Sequence, residues 1–348
     1  MKQLEVGILG GTGMVGQHFI RFLDGHPWFK LTWVGASDRS AGKKFRDATS
    51  WRLDGAMPDS VADIVVSDSK PANAPKLVFS AMDASVATEI EQAFAAAGHI
   101  VVSNSKNHRM EEDVPLLVPE INASHLSVVK QQRERRGWKG FIVTNPNCST
   151  VVLTMALAPL LPFGIKRVIA ATMQAVSGAG YPGVASMDIL GNVIPYISGE
   201  EEKMQEETQK ILGAVNNGRF TPLDARVSAH CNRVVVVDGH TVVTSVELQH
   251  NPSLADAQHA IENFRGLPQE RKLPSAPAQP LMYMPQQDRP QPRRDAAREN
   301  GMTTFIGRLR PCPVLDLKLV ACGHNTVRGA AGAAVLNAEL MASEGLLD

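Results

Sequence analysis

The sequence predicts an α/β fold: a mostly parallel sheet covered by helices, followed by a second α+β domain. Three observations predict it. Short apolar, strand-like runs alternate with helical periods up to about residue 144, long β-rich stretches replace that alternation after about residue 164, and a glycine loop joins the first strand to the first helix. At 348 residues the chain has room for two domains.

Residues 4–9 form a short apolar run stopped by glycines, and 13–23 carry helical periodicity. Residues 31–36, 77–81, 100–103 and 141–144 read as further strands, with 86–97 as an Ala-rich helix between two of them. In the second half, 168–176 and 225–248 are β-rich. Within the latter, Val234 to Val237, Asp238-Gly239 and the run from His240 read as a hairpin on an Asp-Gly turn. Residues 267–292 hold seven prolines, which argues against helix or central strand and leaves a disordered linker or an extended arm lying on a partner. Residues 326–341, rich in Gly and Ala and helical in period, are expected to return to the first domain.

Composition narrows the function. The chain is 44% apolar and 20% charged, ordinary for a soluble globular protein. Lys plus Arg and Asp plus Glu are 35 each, so no net charge draws it to nucleic acid or to an anionic membrane. The longest apolar helical run, 151–161, is shorter than the roughly 20 residues of a membrane span and contains Thr154 and Pro159. The N-terminus lacks the pattern of a signal peptide, so a cytoplasmic protein is expected. The four cysteines, Cys148, Cys231, Cys312 and Cys322, include no C-x-x-C pair, and no metal site is expected.

Gly11-Thr12-Gly13-Met14-Val15-Gly16 fits G-x-G-x-x-G. The pattern alone says little. Here it follows a predicted strand and opens a predicted helix, where glycines let the backbone approach a pyrophosphate and the helix start offers free N–H groups. The alternative, a tight turn binding nothing, is disfavoured by that position. The predicted fold is therefore a Rossmann-type parallel sheet. At the end of the second strand, Ser37, Arg39 and Ser40 could cradle a 2′-phosphate, which favours NADP, although Asp38 lies among them.

Cys148, in Asn145-Pro146-Asn147-Cys148-Ser149-Thr150, falls at a predicted helix start. There the dipole lowers a thiol pKa and favours the thiolate nucleophile; the alternative is a buried Cys acting as a small hydrophobe. A thiolate beside a nicotinamide suits aldehyde chemistry through a thioester, and that needs an acid/base group. In the predicted hairpin His240 pairs with Val237, so Arg233 would share its face about 13 Å along the strand. A base and an anion-binding Arg would then converge on one pocket, unless both are solvated on a surface hairpin. Gln174 ends a strand before a glycine-rich turn, and either orients a ligand or belongs to a plain β-turn. Glu200-Glu201-Glu202-Lys203 opens a helix and, by itself, reads as a solvated face.

Taken together, these residues resemble the aspartate-β-semialdehyde dehydrogenases, in the form of the archaeal and fungal branch. The resemblance runs in order over nearly the whole chain. It covers the glycine loop, Ser103 to Met110, Asn145 to Thr150, Gln174 to Gly180, Gly199 to Lys203, Arg233 with His240, Asn325 to Gly332 and the Pro-rich segment. It implies reduction of 4-phospho-L-aspartate to L-aspartate 4-semialdehyde by NADPH with release of phosphate, feeding lysine, threonine and methionine synthesis. It implies Cys148 as nucleophile, His240 as acid/base and Gln174 as the residue orienting the acyl-enzyme. Arg233 would clamp the α-carboxylate and Glu200 the amino group, while Arg109, Asn147 and Lys203 would bind phosphate. Gly10, Thr12, Gly13, Met14, Val15, Gly16, Ser37, Arg39, Ser40, Ser80, Ser177, Gly178 and Asn325 would line the NADP site. The implied domains are 1–146 plus 325–348 for NADP, and 147–324 for catalysis and dimerisation. The implied partners are a small-molecule substrate, inorganic phosphate and a second copy of the chain in a homodimer or homotetramer. The rival readings are a malonyl-CoA reductase of the same branch and a non-catalytic nucleotide-binding paralogue. The latter is disfavoured by the presence together of Cys148, Gln174, Arg233 and His240.

Overall fold

In the computed structural model, which describes residues 3–347, the short apolar runs of the first part become strands β1 (Leu4–Leu9), β2 (Phe29–Ala36), β3 (Ser67–Asp68), β4 (Leu77–Ser80), β5 (Ile100–Ser103) and β6 (Phe141–Thr144). They form one sheet in the order β3-β2-β1-β4-β5-β6, every pair parallel. All residues of β4, β5 and β6 are buried, as strands covered on both faces must be. The strand order reverses between β1 and β4, and the crevice beyond the carboxyl ends of those two strands is where such sheets bind ligands.

The helix Met14–Leu23 leaves that crevice, and the helix Ala84–Ala97 is capped by the Asp83 carboxylate, which accepts from Ser85 N–H. The helix Gly332–Ser343 returns to this sheet and buries Val335, Leu336 and Leu340 with Phe19 and Phe79. Two elements of this half escape the apolar pattern. β3 has two residues, and the helix Val129–Arg136, VKQQRERR, buries only Val129 and Gln132.

The second sheet contains β7 (Ile165–Gln174), then, after a small ribbon of β8 (Ala214–Asn216) and β9 (Arg219–Thr221), strands β10 (Arg226–Arg233), β11 (His240–Leu248), β12 (Leu281–Met284), β13 (Thr304–Pro311) and β14 (Leu317–Gly323). Its order is β10-β7-β11-β14-β13-β12, with mixed directions. The helices Cys148–Leu157, Glu200–Ile211 and Leu254–Glu262 cover one face. On the other face Ile169 and Val243 stand open, 48% and 37% exposed. The expected Rossmann-type sheet with a second α+β domain is thus what the chain forms. Among the described residues no helix is long and apolar enough to cross a membrane.

Two expectations are corrected. β10 and β11 do not form a hairpin: β7 lies between them, parallel to β10 and antiparallel to β11. The valines that suggested a strand, Val234 to Val237, cross over the end of β7 instead, with Val235 and Val237 exposed. The Asp-Gly pair does turn the chain, Gly239 having φ of +95°. The Pro-rich segment is no disordered linker: it is ordered and packed on its own chain. Pro268 sits in the first turn of a short helix, Leu267–Glu270, where its missing N–H removes no bond. β12 fits between Pro280 and Pro285 at the sheet edge, where prolines are tolerated. Ser275 N–H ties the segment to the Glu339 carboxylate of the C-terminal helix, 3.0 Å away.

Candidate active site

Cys148 is the first residue of the helix Cys148–Leu157, and Asn147 caps it, its Oδ1 accepting from Ser149 N–H (2.9 Å) and Thr150 N–H (3.3 Å). The chain returning at Val327–Ala331 packs directly on Cys148. A Cβ on Gly329 would lie 2.6 Å from Cys148 Cβ, so only glycine fits there. Cys148 Sγ is 3.1 Å from His240 Nε2. The thiol is not depressed as its helix position predicts. Although the residue is only half-buried by its exposed area, enclosure of the sulfur pushes the thiol up to about 12. The Glu200 carboxylate adds to that push, while Arg109 and Arg233 oppose it. His240, fully buried and close to Arg233, is pushed down to about 3 and is neutral. In the free protein the pair therefore rests as thiol and imidazole.

His240 and Arg233 converge by a route other than a hairpin. β10 and β7 are parallel, with Arg233 opposite Gln174, and β11 starts at the same end of β7 with His240. The Ala175 peptide joins them: its N–H donates to His240 Nδ1 (3.1 Å), and its carbonyl accepts from Arg233 Nη1 (2.7 Å). Because Nδ1 accepts, the neutral ring carries its proton on Nε2, facing the sulfur. Gln174 is buried beside them, its amide on Thr172 Oγ1 at 3.3 Å.

On the other side a chain of polar contacts runs from Lys203 to Arg109. Lys203 Nζ donates to Glu200 Oε1 (2.8 Å), Asn147 Nδ2 to Glu200 Oε2 (2.6 Å), Asn147 N–H to Glu207 Oε2 (2.6 Å), and Arg109 Nη1 to Glu207 Oε1 (2.9 Å). Glu200 is thus a buried, hydrogen-bonded side chain, although its sequence setting alone reads as a solvated face.

The glycine loop lies at the switch point of the first sheet. Gly10 has φ of +73°, and a Cβ on Gly16 would lie 2.5 Å from Gly10 O. The helix that follows has no acidic residue and no side-chain cap at its start, so its free N–H groups suit an anion. Ser80 is buried at the end of β4; Ser37, Asp38 and Arg39 are exposed and Ser40 half-buried in the turn after β2. Ser177 and Asn325 meet on the opposite wall. Asn325 Nδ2 donates to Ser177 Oγ (2.8 Å), and its Oδ1 accepts from Gly239 N–H (2.8 Å). Gly178 lets the backbone come close to Arg233 and His240, since a Cβ there would be 2.8 Å from Arg233 Nη1 and 2.9 Å from His240 Cε1. A cleft of about 1610 Å³ runs beside the helix Met14–Leu23, lined by Met14, His18, Ser177 and His324 but not by Cys148 or His240.

Sequence reasoning missed Glu207, Lys210, His324 and the Ala175 peptide. The acids and bases at 200, 203, 207 and 210 recur at a helical spacing that places them on one face, a signal that could have found Glu207 and Lys210. Nothing in the residue types marks Ala175, whose part is played by its backbone.

Comparison with known proteins places the chain in a family. Two family models match the chain: semialdehyde dehydrogenase, NAD binding domain, over residues 5–129, and semialdehyde dehydrogenase, dimerisation domain, over 157–328. The chain is 48% identical over 345 residues to aspartate-semialdehyde dehydrogenase of Archaeoglobus fulgidus, with 99% of each covered. It is 50% identical over 343 residues to the enzyme of that name from Methanothermobacter thermautotrophicus, covering 97% of this chain and 99% of that one. The crystal structure of aspartate semialdehyde dehydrogenase with NADP from Candida albicans matches with a TM-score of 0.92 at 44% identity, covering 99% of this chain and all of that one.

Proposed function

The chain belongs to the aspartate-semialdehyde dehydrogenase family, and from that premise we propose that it reduces 4-phospho-L-aspartate to L-aspartate 4-semialdehyde with NADPH, releasing phosphate through a thioester on Cys148. The observation that carries the proposal is the Cys148–His240 contact of 3.1 Å, set between Arg233 and the Arg109–Lys203 network. The glycine loop fits a dinucleotide: its backbone has no room for side chains at Gly10 or Gly16, and its helix start is uncapped. NADP is supported further by the Candida albicans relative, whose structure holds it. Gly10, Thr12, Gly13, Met14, Val15, Gly16 and Ser80 would hold the pyrophosphate half. Ser37, Arg39 and Ser40 would hold the 2′-phosphate, and Ser177, Gly178 and Asn325 the nicotinamide end. When bound, the nicotinamide supplies the hydride that the acyl carbon receives.

The residues divide the rest of the work. Cys148 attacks as the thiolate after its proton is lost to solvent. The new C–S bond forms as the C–O bond to phosphate breaks, and the phosphate departs with that electron pair toward Arg109, Asn147 and Lys203. Arg233 holds the α-carboxylate and Glu200 the amino group, so the acyl carbon faces the sulfur. Gln174 orients the acyl group. Once the thioester carbonyl has been reduced, the C–S bond breaks, its electron pair returns to sulfur and the aldehyde forms. His240 acts at Nε2, whose N–H donates a hydrogen bond to the sulfur and stabilises it as the thiolate while the C–S bond forms and breaks. Residues 1–146 with 325–348 make the NADP-binding domain, and 147–324 the catalytic and dimerisation domain. The homodimer forms through the open face of the second sheet at Ile169 and Val243.

The test is reduction of NADP by the purified protein with L-aspartate 4-semialdehyde, with and without phosphate, and with malonate semialdehyde as control. Phosphate-dependent turnover of the aspartate compound alone is expected. Turnover of malonate semialdehyde that requires coenzyme A instead of phosphate would assign the chain to the rival reaction.

A further inference from the structure

Besides Glu200, the helix Glu200–Ile211 carries two more buried charges, Glu207 and Lys210, whose hydrogen-bond partners are Asn147, Arg109 and the loop that follows Arg109. Glu207, 2% exposed, takes Arg109 Nη1 on one carboxylate oxygen (2.9 Å) and the Asn147 N–H on the other (2.6 Å). It thereby ties Arg109, from the first half of the chain, to the residue preceding the nucleophile. Three residues on, Lys210 is 4% exposed. Its ammonium donates to the carbonyls of Arg109 (2.7 Å), Glu111 (2.8 Å) and Val114 (2.9 Å), which uses all its hydrogens. A buried charge is costly unless fully matched. Here the match fixes one loop at both its arginine head and its backbone. Arg109 Nη2 is held by Asn104 O at 2.8 Å, while its Nε is buried with no partner among the described residues.

We infer that Glu207 and Lys210 are positioning residues that hold Arg109 beside the nucleophile and so set how well the site takes phosphate. The inference rests on the phosphate-releasing reaction proposed above. Position and charge make opposite predictions. Removing the Glu207 carboxylate leaves more positive charge, which by itself favours an anion; losing Arg109's orientation disfavours it. The inference holds that orientation wins.

The experiment measures KM for phosphate, L-aspartate 4-semialdehyde and NADP, with thermal melting and NADPH binding as checks of folding. The proteins are wild type, Glu207→Gln, Glu207→Asp and Lys210→Met. Loss of a charge-assisted bond predicts a rise of roughly tenfold or more in the phosphate KM for Glu207→Gln and Lys210→Met. The KM for NADP should stay near wild type, and Glu207→Asp should recover part of the loss. Each variant that binds NADPH as wild type does is read on its own, so a misfolded one does not decide the matter. An unchanged or lower phosphate KM in such a variant, or equal rises for all three ligands, overturns the inference while leaving the reaction standing. A wild type whose turnover ignores phosphate overturns both.

Discussion

At Cys148 two influences compete, and their balance can be measured. The helix start, Arg109 and Arg233 favour the thiolate; enclosure and the Glu200 carboxylate favour the thiol and prevail in the free protein. Cys231 and Cys322 are likewise pushed up by burial, to about 11 and about 12. Cys312 goes the other way, drawn below its usual range by the backbone N–H of Leu315 at 3.4 Å. Brief iodoacetamide treatment followed by peptide mass spectrometry should therefore find Cys312 modified first. A first adduct at Cys148 would mean that the arginines and the helix dipole outweigh burial. Cys148→Ala should abolish turnover and leave NADPH binding intact, and His240→Asn should lower kcat by roughly 10²–10⁴. Arg39 gives a further test. An Arg pairing with the 2′-phosphate is worth about 1.5–3 kcal/mol, or one to two orders of magnitude in affinity. Arg39→Ala should erode NADP efficiency and spare NAD, and high salt should shrink the wild-type preference because Arg39 is exposed. Equal use of both cofactors by wild type would put Asp38 in control instead.

The end of β7 is where several elements become one site, and the glycine after it tests this. Gly178→Ala would press a methyl group against Arg233 and His240. Displacement of about 1 Å at a reacting group costs on the order of 10²-fold, so kcat should fall that far. Wild-type kcat in that variant would show that the loop yields. The same strand end shows what the sequence could and could not convey. The first sheet was readable because each parallel strand is a short apolar run bounded by turn residues, with the glycine loop fixing its start. Cys148, His240 and Arg233 stood out by residue type. Their meeting at Ala175 did not, because strand pairing is a long-range choice: the Asp-Gly turn looks the same whether the chain folds back or crosses over β7. The seven prolines likewise marked where regular structure must stop, and β12 fits in the four-residue gap between two of them. Glu200 reads as solvated, and Glu207 does not stand out at all, because a polar helix face gives no sign that it is buried against another polar layer.

Across the whole molecule, buried histidines set the response to acid. His18 in the helix Met14–Leu23 and His125 near β9 are both pushed down to about 4 by burial, and His240 to about 3. Unfolded, each would titrate near 6.5. Between that value and the folded one the unfolded chain binds more protons, so stability is full above about pH 6.5 and declines as pH falls toward 4. Glu91 opposes this, because burial raises its carboxyl and the folded state takes up the proton first. One such carboxyl is outnumbered by these histidines together with His324, which burial beside His18 also lowers. Melting temperature should hold near neutrality and fall steadily from about pH 6.5 to 4, by a few degrees for each histidine. His125 isolates one contribution, since it lies away from the reactive pair. Its ring meets Asn122 Nδ2 at 3.1 Å and Gly213 O at 3.4 Å, and packs on Phe220. Glutamine can donate to the same carbonyl but takes no proton. His125→Gln should therefore lose some stability at pH 7 through poorer packing, yet melt with a shallower dependence on pH below 6.5 and with unchanged kcat. An acid slope as steep as wild type's would show that His125 keeps an ordinary affinity for its proton, leaving His18, His240 and His324 to account for the acid response.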